Sequence, residues 1–172
     1  MAMIQRLGTL DAAQVEPILV ASQREGFRFV TRLCEEWASG VNRFERPGEA
    51  LFGVFVGADL VGIGGLNRQT ESTGRLRRFY ILPPYRRQGW GRRLLRHILT
   101  HAAEHFRCVV LQTDTDSADR FYRACGFARA QDSGDVTHTI ELASAELDAP
   151  PNGGPGRSSE NSDASCGPPS VS

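Results

Sequence analysis

The 172-residue sequence contains no lysine; all 20 of its basic residues are arginine. A lysine Schiff base, a lysine general base and a phosphate loop ending in GK[ST] are therefore excluded. Long apolar runs are also missing. Nothing approaches the ~18–20 residues that span a bilayer, and the opening "MAMIQRLGTLDAAQ" lacks the basic-then-apolar pattern of a secretory leader. A cytoplasmic location without a membrane partner is the expectation. Cysteine is sparse: Cys34, Cys108, Cys125 and Cys166 form no CxxC pair and no metal-ligand spacing. Reduced, mostly buried thiols and no metal are expected. Net charge is absent too, with 20 acidic residues against 20 basic ones. That balance argues against nucleic acid as a main partner, although aromatics do stand among the arginines of one segment.

What is present is an ordinary globular composition, 40% hydrophobic and 23% charged, in a length that suits one domain with a proper core. The charge is unevenly spread. Eight arginines and no acid fall between residues 75 and 96, a block that attracts anions and phosphate above all.

Periodicity predicts the elements. "MIQRL" reads as a strand. "TLDAAQVEPILVASQ" reads as a helix with Asp11 and Gln14 at capping-box spacing; Pro17 implies that it begins near Glu16 or kinks. "EGFRFVTRLCEEWASG" is a second helix stopped by Gly40. "ALFGVFVGADLVGIGGL" is a pair of strands around a Gly-Ala-Asp turn, and "RLRRFYIL" a third, ended by Pro83 and Pro84. "GRRLLRHILTHAAEHF" is a helix whose apolar stripe is Leu94, Leu95, Ile98, Leu99, Ala102 and Phe106. "RCVVLQT" is an apolar and so central strand. "SADRFYRACGF" is a short helix closed by Gly126, and "ARAQ" with "VTHTIEL" forms a last hairpin around "DSGD". The fold class is α/β (α+β): a mixed central sheet flanked by helices, in the order β-α-α-β-β-β-α-β-α-β-β, over residues 1–143. Residues 144–172, rich in Pro, Gly and Ser, are expected to be a disordered tail.

The stretch "PYRRQGWGRRLL" joins a strand to a helix through two glycines. A helix N-terminus offers free N–H groups and a positive dipole end. Gly89 and Gly91 leave the backbone there open to a ligand, which makes a candidate diphosphate site. By itself the pair also fits an ordinary tight turn. It is not a dinucleotide fingerprint, since position 94 is leucine rather than a third glycine.

With "FYRACGF" some thirty residues on, the chain resembles the GCN5-related N-acetyltransferase (GNAT) family. That family's [QR]-x-x-G-x-[GA] signature is met by Arg86, Gly89 and Gly91. Its apolar-aromatic lead-in is met by residues 79–86, and its F-Y-x-x-x-G-F by Phe121, Tyr122, Gly126 and Phe127. The resemblance implies acetyl-CoA as cosubstrate, without a metal. Its diphosphate would lie on the amides of Arg87, Gln88, Gly89, Trp90, Gly91 and Arg92, next to the signature Arg86. The pantetheine arm would pair with residues 76–82, the Ile81 amide would meet the thioester carbonyl, and the strand at 108–113 would splay away to admit the cofactor. Tyr122 matches the general acid, and a homodimer is a further possibility that the resemblance carries.

Two departures stand out. Thr115 replaces an asparagine that often contacts the cofactor arm. Arg77 and Arg78 occupy the strand where some members carry a basic carboxylate, so the general base is open among Glu71, Asp114, Asp116, His138 and a water chain. The expected function is acetyl transfer from acetyl-CoA to a primary amine by direct attack in a ternary complex. A non-catalytic acyl-CoA-binding or sensing module of the same fold is the alternative. The acceptor is the least legible part. Arg43 with Arg77 or Arg78 could hold a carboxylate-bearing amine, but "VNRFERPGEA" also reads as a purely structural loop. His97, His101 and His105 recur every fourth residue; with no evident carboxylate or cysteine beside them, they read as a solvated helix edge rather than a zinc site.

Overall fold

Strand β1 (Ala2–Arg6) pairs antiparallel with β2 (Ala50–Val56), which turns through two residues into β3 (Asp59–Arg68). Gly57, with φ 62°, stands first in that two-residue loop, where a hairpin needs a positive φ. Asp59, expected in the turn, is already the first residue of β3. This computed structural model describes residues 1–131 and 134–143. The proline- and glycine-rich segment 144–172 and part of the "DSGD" turn lie outside the described residues.

Between β1 and β2 come α1 (Ala12–Arg24) and α2 (Phe29–Ser39). Asp11 caps α1 by accepting from the Gln14 amide at 3.0 Å. The helix therefore starts at Ala12 rather than near Glu16, and Pro17 lies inside it. Helix α2 begins four residues later than the apolar spacing suggests and stops at Gly40, φ 78°. After β4 (Thr73–Ile81), a short 3-10 turn over Pro83–Tyr85 leads into α3 (Trp90–Ala103). Then follow β5 (Cys108–Leu111), α4 (Asp116–Ala124), β6 (Ala128–Arg129) and β7 (His138–Glu141). The seven strands run in the order β1-β2-β3-β4-β5-β7-β6, and only β4 and β5 are parallel.

The sheet has a core on each face. Helices α1 and α2 bury Val15, Ile18, Val30 and Leu33 against Leu51, Phe55, Ile63 and Tyr80. Helix α3 buries Leu94, Leu95, Ile98 and Ala102 against Phe52, Val54, Leu66, Leu76 and Val109. The predicted α3 stripe holds, with Leu99 only half-buried. Phe44 (φ 53°) plugs the first core from the loop after α2. A side chain at Gly65 would strike its ring at 2.4 Å, so glycine is required there. The buried Glu49 holds the loop down, accepting from the amides of Arg46 and Arg68 and from the Asn67 side chain at 3.1, 2.7 and 2.9 Å. The structural reading of "VNRFERPGEA" is the correct one.

Candidate active site

Strand β4 pairs with β5 only through Thr73, Gly74 and Arg75. Beyond Arg75 the two strands diverge, opening the expected slot. A cavity of about 1000 Å³ fills it and extends across the sheet edge towards α2. A bulge shapes its middle. Gly65 pairs with Arg77 and Ile63 with Tyr80, so Arg78 and Phe79 together stand opposite Gly64. Simple alternation would send Arg77 and Arg78 to opposite faces. The extra residue, with Arg78 at φ 57°, keeps both on the α1–α2 side.

At one end of the cavity the chain enters α3. Gly89 is its N-cap at φ 85°, a conformation only glycine adopts freely. With no capping side chain there, the amides of the first turn have no partner within the helix. Of the predicted donor-site residues, Ile81, Arg86, Arg87, Gly89, Gly91 and Arg92 line the cavity. The other two side chains are engaged elsewhere: Gln88 donates to the Pro84 carbonyl at 2.9 Å, and Trp90 stacks under Arg93. No carboxylate pairs with Arg87 or Arg92 among the described residues, and Arg92 hydrogen-bonds the Cys125 side chain. Arg86 differs. It donates to Glu25 at 2.7 and 2.8 Å and to the Ile81 carbonyl at 2.8 Å, and it covers the Tyr80 ring. Tyr80 donates a short hydrogen bond to the same carboxylate. The Arg86 guanidinium holds Glu25 below the usual carboxylate range, while burial first and then Glu25 push the Tyr80 phenol well up. Arg86 is thus a clasp that ties the loop before α2 to the end of β4.

Tyr122 faces the cavity from α4, 8% exposed and packed among Phe79, Phe121, Phe127 and His138. Burial raises its pKa far above that of a free phenol, so it stays protonated at any working pH. Its helix is anchored by Asp119, which takes His138 at 2.8 Å and Arg129 at 2.8 and 2.6 Å. Those partners, Arg129 foremost, hold Asp119 well below the usual carboxylate range. Thr115 lines the cavity but also caps α4, its hydroxyl accepting from the Ala118 amide at 3.3 Å. The hydroxyl proton is left to donate elsewhere.

The base candidates separate. Asp114 lines the cavity, while Glu71 lies exposed in the β3–β4 turn and His138 is committed to Asp119. Sequence reasoning missed Glu25, Glu36 and Asp135, which also line it. The signal was there: a block of eight arginines without acids must draw its counter-charges from elsewhere, and "CEEW" on α2 was available. Arg43 is a correction. Its Nε donates to the Trp37 carbonyl at 2.9 Å, capping the end of α2, and it does not line the cavity. The histidine reading needs amending too. His101 is half-buried, contacts the Gly48 carbonyl at 3.1 Å and packs edge-on against Phe52. A carboxylate does stand beside it: ligand atoms of His101, Glu104 and His105 lie within 4.8 Å of one another. Cys34 and Cys125 are free, and the expectation of reduced thiols is met at those two. No described helix is long and apolar enough to cross a membrane.

Comparison with known proteins agrees with this fold. Residues 13–127 match the acetyltransferase (GNAT) family. A search of curated proteins finds no match. The structure is similar to that of a protein from an Exiguobacterium species assigned as an acetyltransferase, with 30% identity and a TM-score of 0.72 over 82% of this chain and 93% of that one. An acetyltransferase from Streptococcus agalactiae shares the fold at 17% identity and a TM-score of 0.69, over 83% and 98% of the two chains. So does the ribosomal-protein-S18-alanine N-acetyltransferase of Escherichia coli, at 16% identity and 0.59, over 86% and 99%. This chain belongs to the GNAT acetyltransferase family.

Proposed function

We propose that the chain transfers an acetyl group from acetyl-CoA to a primary amine by direct attack in a ternary complex. The observation that carries this is the cavity between the diverging β4 and β5, with the uncapped N-terminus of α3 at one end and Tyr122 on its wall. The residues fit the cosubstrate. The first-turn amides of α3, with Arg87 and Arg92, suit a diphosphate. The unpaired edge of β4 beyond Arg75 suits an extended amide-bearing arm.

Acetyl-CoA supplies a thioester. The amine nitrogen forms the new bond to its carbonyl carbon and loses a proton, and the carbon–sulfur bond breaks. The amide of Ile81 donates to the carbonyl oxygen as negative charge builds on it. Tyr122 donates its hydroxyl proton towards the departing sulfur. The free thiol has a pKa near 8.5, so a phenol raised above its usual value acts first as a hydrogen-bond donor to the thiolate. The proton leaving the amine passes to Asp114 or water on the acceptor side. Cys34 and Cys125 do not line the cavity, and burial raises both of their pKa values, which disfavours an acetyl-cysteine step.

The test is calorimetry with acetyl-CoA followed by thiol release across an amine panel. Binding with turnover is expected. Binding with no thiol released by any amine would leave the chain as an acyl-CoA-binding module, and no binding at all would refute the reading.

A further inference from the structure

Six charged side chains form the acceptor-side wall: Arg32 and Glu36 from α2, Arg75, Arg77 and Arg78 from β4, and Asp135 before β7. Both carboxylates are already paired. Asp135 holds Arg75 at 2.7 Å and Glu36 holds Arg78 at 2.9 Å. No carboxylate lies within ion-pair distance of Arg32 or Arg77 among the described residues. Counting Asp114, which lines the same cavity, four arginines face three carboxylates and leave an excess of one positive charge. Independently, the Arg78 side chain is only 8% exposed, yet its Nε has no hydrogen-bond partner. A buried guanidinium donor is expensive to leave unmet, and this one sits on the β4 bulge at a φ that disfavours a side chain. A smaller cavity of about 250 Å³, lined by Asn67, Arg68 and Gln69, continues beyond Arg75, Arg77 and Asp135. Arg77 therefore borders both spaces.

We infer that the acceptor amine carries an oxyanion, a carboxylate or a phosphate, bound by Arg77 with the unpartnered Nε of Arg78. This rests on the acetyltransferase reading above. Such an anion fills the missing counter-charge, and the smaller cavity receives the remainder of the molecule. Before the anion binds, the positive field also disfavours the ammonium form of an approaching amine. This gives the arginines a chemical purpose on a strand that lacks a carboxylate. A polyamine meets the same field as repulsion.

The test uses the full chain saturated with coenzyme A for binding, read by thermal shift, and with acetyl-CoA for thiol release. The probes are a set of amino acids, their carboxamides, 2-aminoethyl phosphate and a polyamine. The acid-bearing amines should outperform their carboxamides by about ten- to hundredfold. Arg77→Gln should bring that ratio towards one, and Arg77→Lys should restore part of it. Arg77 is exposed and has no ion-pair partner among the described residues, so neither variant threatens folding. A stronger response to the phosphate amine than to the amino acids supports the site and names phosphate as the anion. Equal or better performance by the carboxamides or the polyamine overturns the inference, as does a preference that survives Arg77→Gln. If acids stabilise the complex over carboxamides but no probe releases thiol, the anion site stands and the transferase reading fails.

Discussion

Replacing Gly91 with alanine should move stability and cofactor affinity in opposite directions. Gly91 is the second residue of α3 and has an ordinary helical φ. Glycine costs a helix interior ~0.8–1.0 kcal/mol relative to alanine. Near the end of a helix about half of that is expected. An added Cβ would meet Phe121 at 3.4 and 3.5 Å and Ile81 at 3.9 Å. These are ordinary contacts, so nothing offsets the gain. At ~2–4 °C per kcal/mol for a chain of this size, the ligand-free Tm should rise by about 1–2 °C. The same methyl group stands in the cavity beside the uncapped amides of α3. Forcing a phosphate away from even one such donor should cost ~1.5–3 kcal/mol, or about ten- to hundredfold in acetyl-CoA Kd. Scanning fluorimetry without ligand reads the first quantity and calorimetry the second. A lowered Tm would refute the helix argument. An unchanged Kd would refute the placement of the diphosphate at this turn. Gly89 is the contrasting control. It has open space around its Cβ position but a φ of 85°, so alanine there should lower the ligand-free Tm through backbone strain of ~1 kcal/mol.

Other outcomes follow from the same geometry. Tyr122→Phe should reduce kcat by about ten- to a hundredfold, the loss of one hydrogen bond to a charged group, while acetyl-CoA binding stays close to the parent value, because the hydroxyl makes no hydrogen bond to the described residues; full turnover would sink the acid role. Glu49→Ala strands the amides of Arg46 and Arg68 and the Asn67 side chain. Urea unfolding should show a loss of about 3 kcal/mol, and a loss below ~1 would contradict the loop anchor. Burial chiefly lowers the pKa of His101 below 6.5, so the unfolded chain binds that proton more readily. Stability should therefore rise with pH through the window below 6.5 and be lost on acidification. His101→Gln should flatten this rise. Glu25, Asp119 and Asp135 also have lowered pKa values. Their stabilising effect is complete above the ordinary carboxylate range and is lost as pH falls below ~4.

Most of the element order was legible because each boundary has a local cause. Asp11 caps α1, Gly40 stops α2, Gly57 turns the β2–β3 hairpin, and the alternation of Leu94, Leu95, Ile98 and Ala102 with Arg93, Arg96 and Thr100 gives α3 its buried face. The glycine turn into α3 was legible for the same reason. A glycine N-cap followed by a helix is a short-range feature, and Gly89 adopts the left-handed conformation that only a local accounting of torsions requires. The late start of α2 also has a local cause, which the apolar spacing passed over: Glu25 is the C-cap of α1, and Gly26 at φ 84° ends that helix.

By itself, then, the sequence determined the family, the sheet-and-helix order and the glycine turn into α3, because these follow from motifs, torsions and periodicities within a few residues. Only the tertiary structure decided the charged wall of the cavity. The β4 bulge places Arg77 and Arg78 on one face where alternation would separate them. Arg75 and Arg78 find Asp135 and Glu36 at separations of 60 and 42 residues, leaving Arg77 without an ion-pair partner among the described residues, and Arg43 is diverted to the end of α2. Which charges cancel and which remain depends on side chains meeting across the folded chain, and no local pattern encodes those distances.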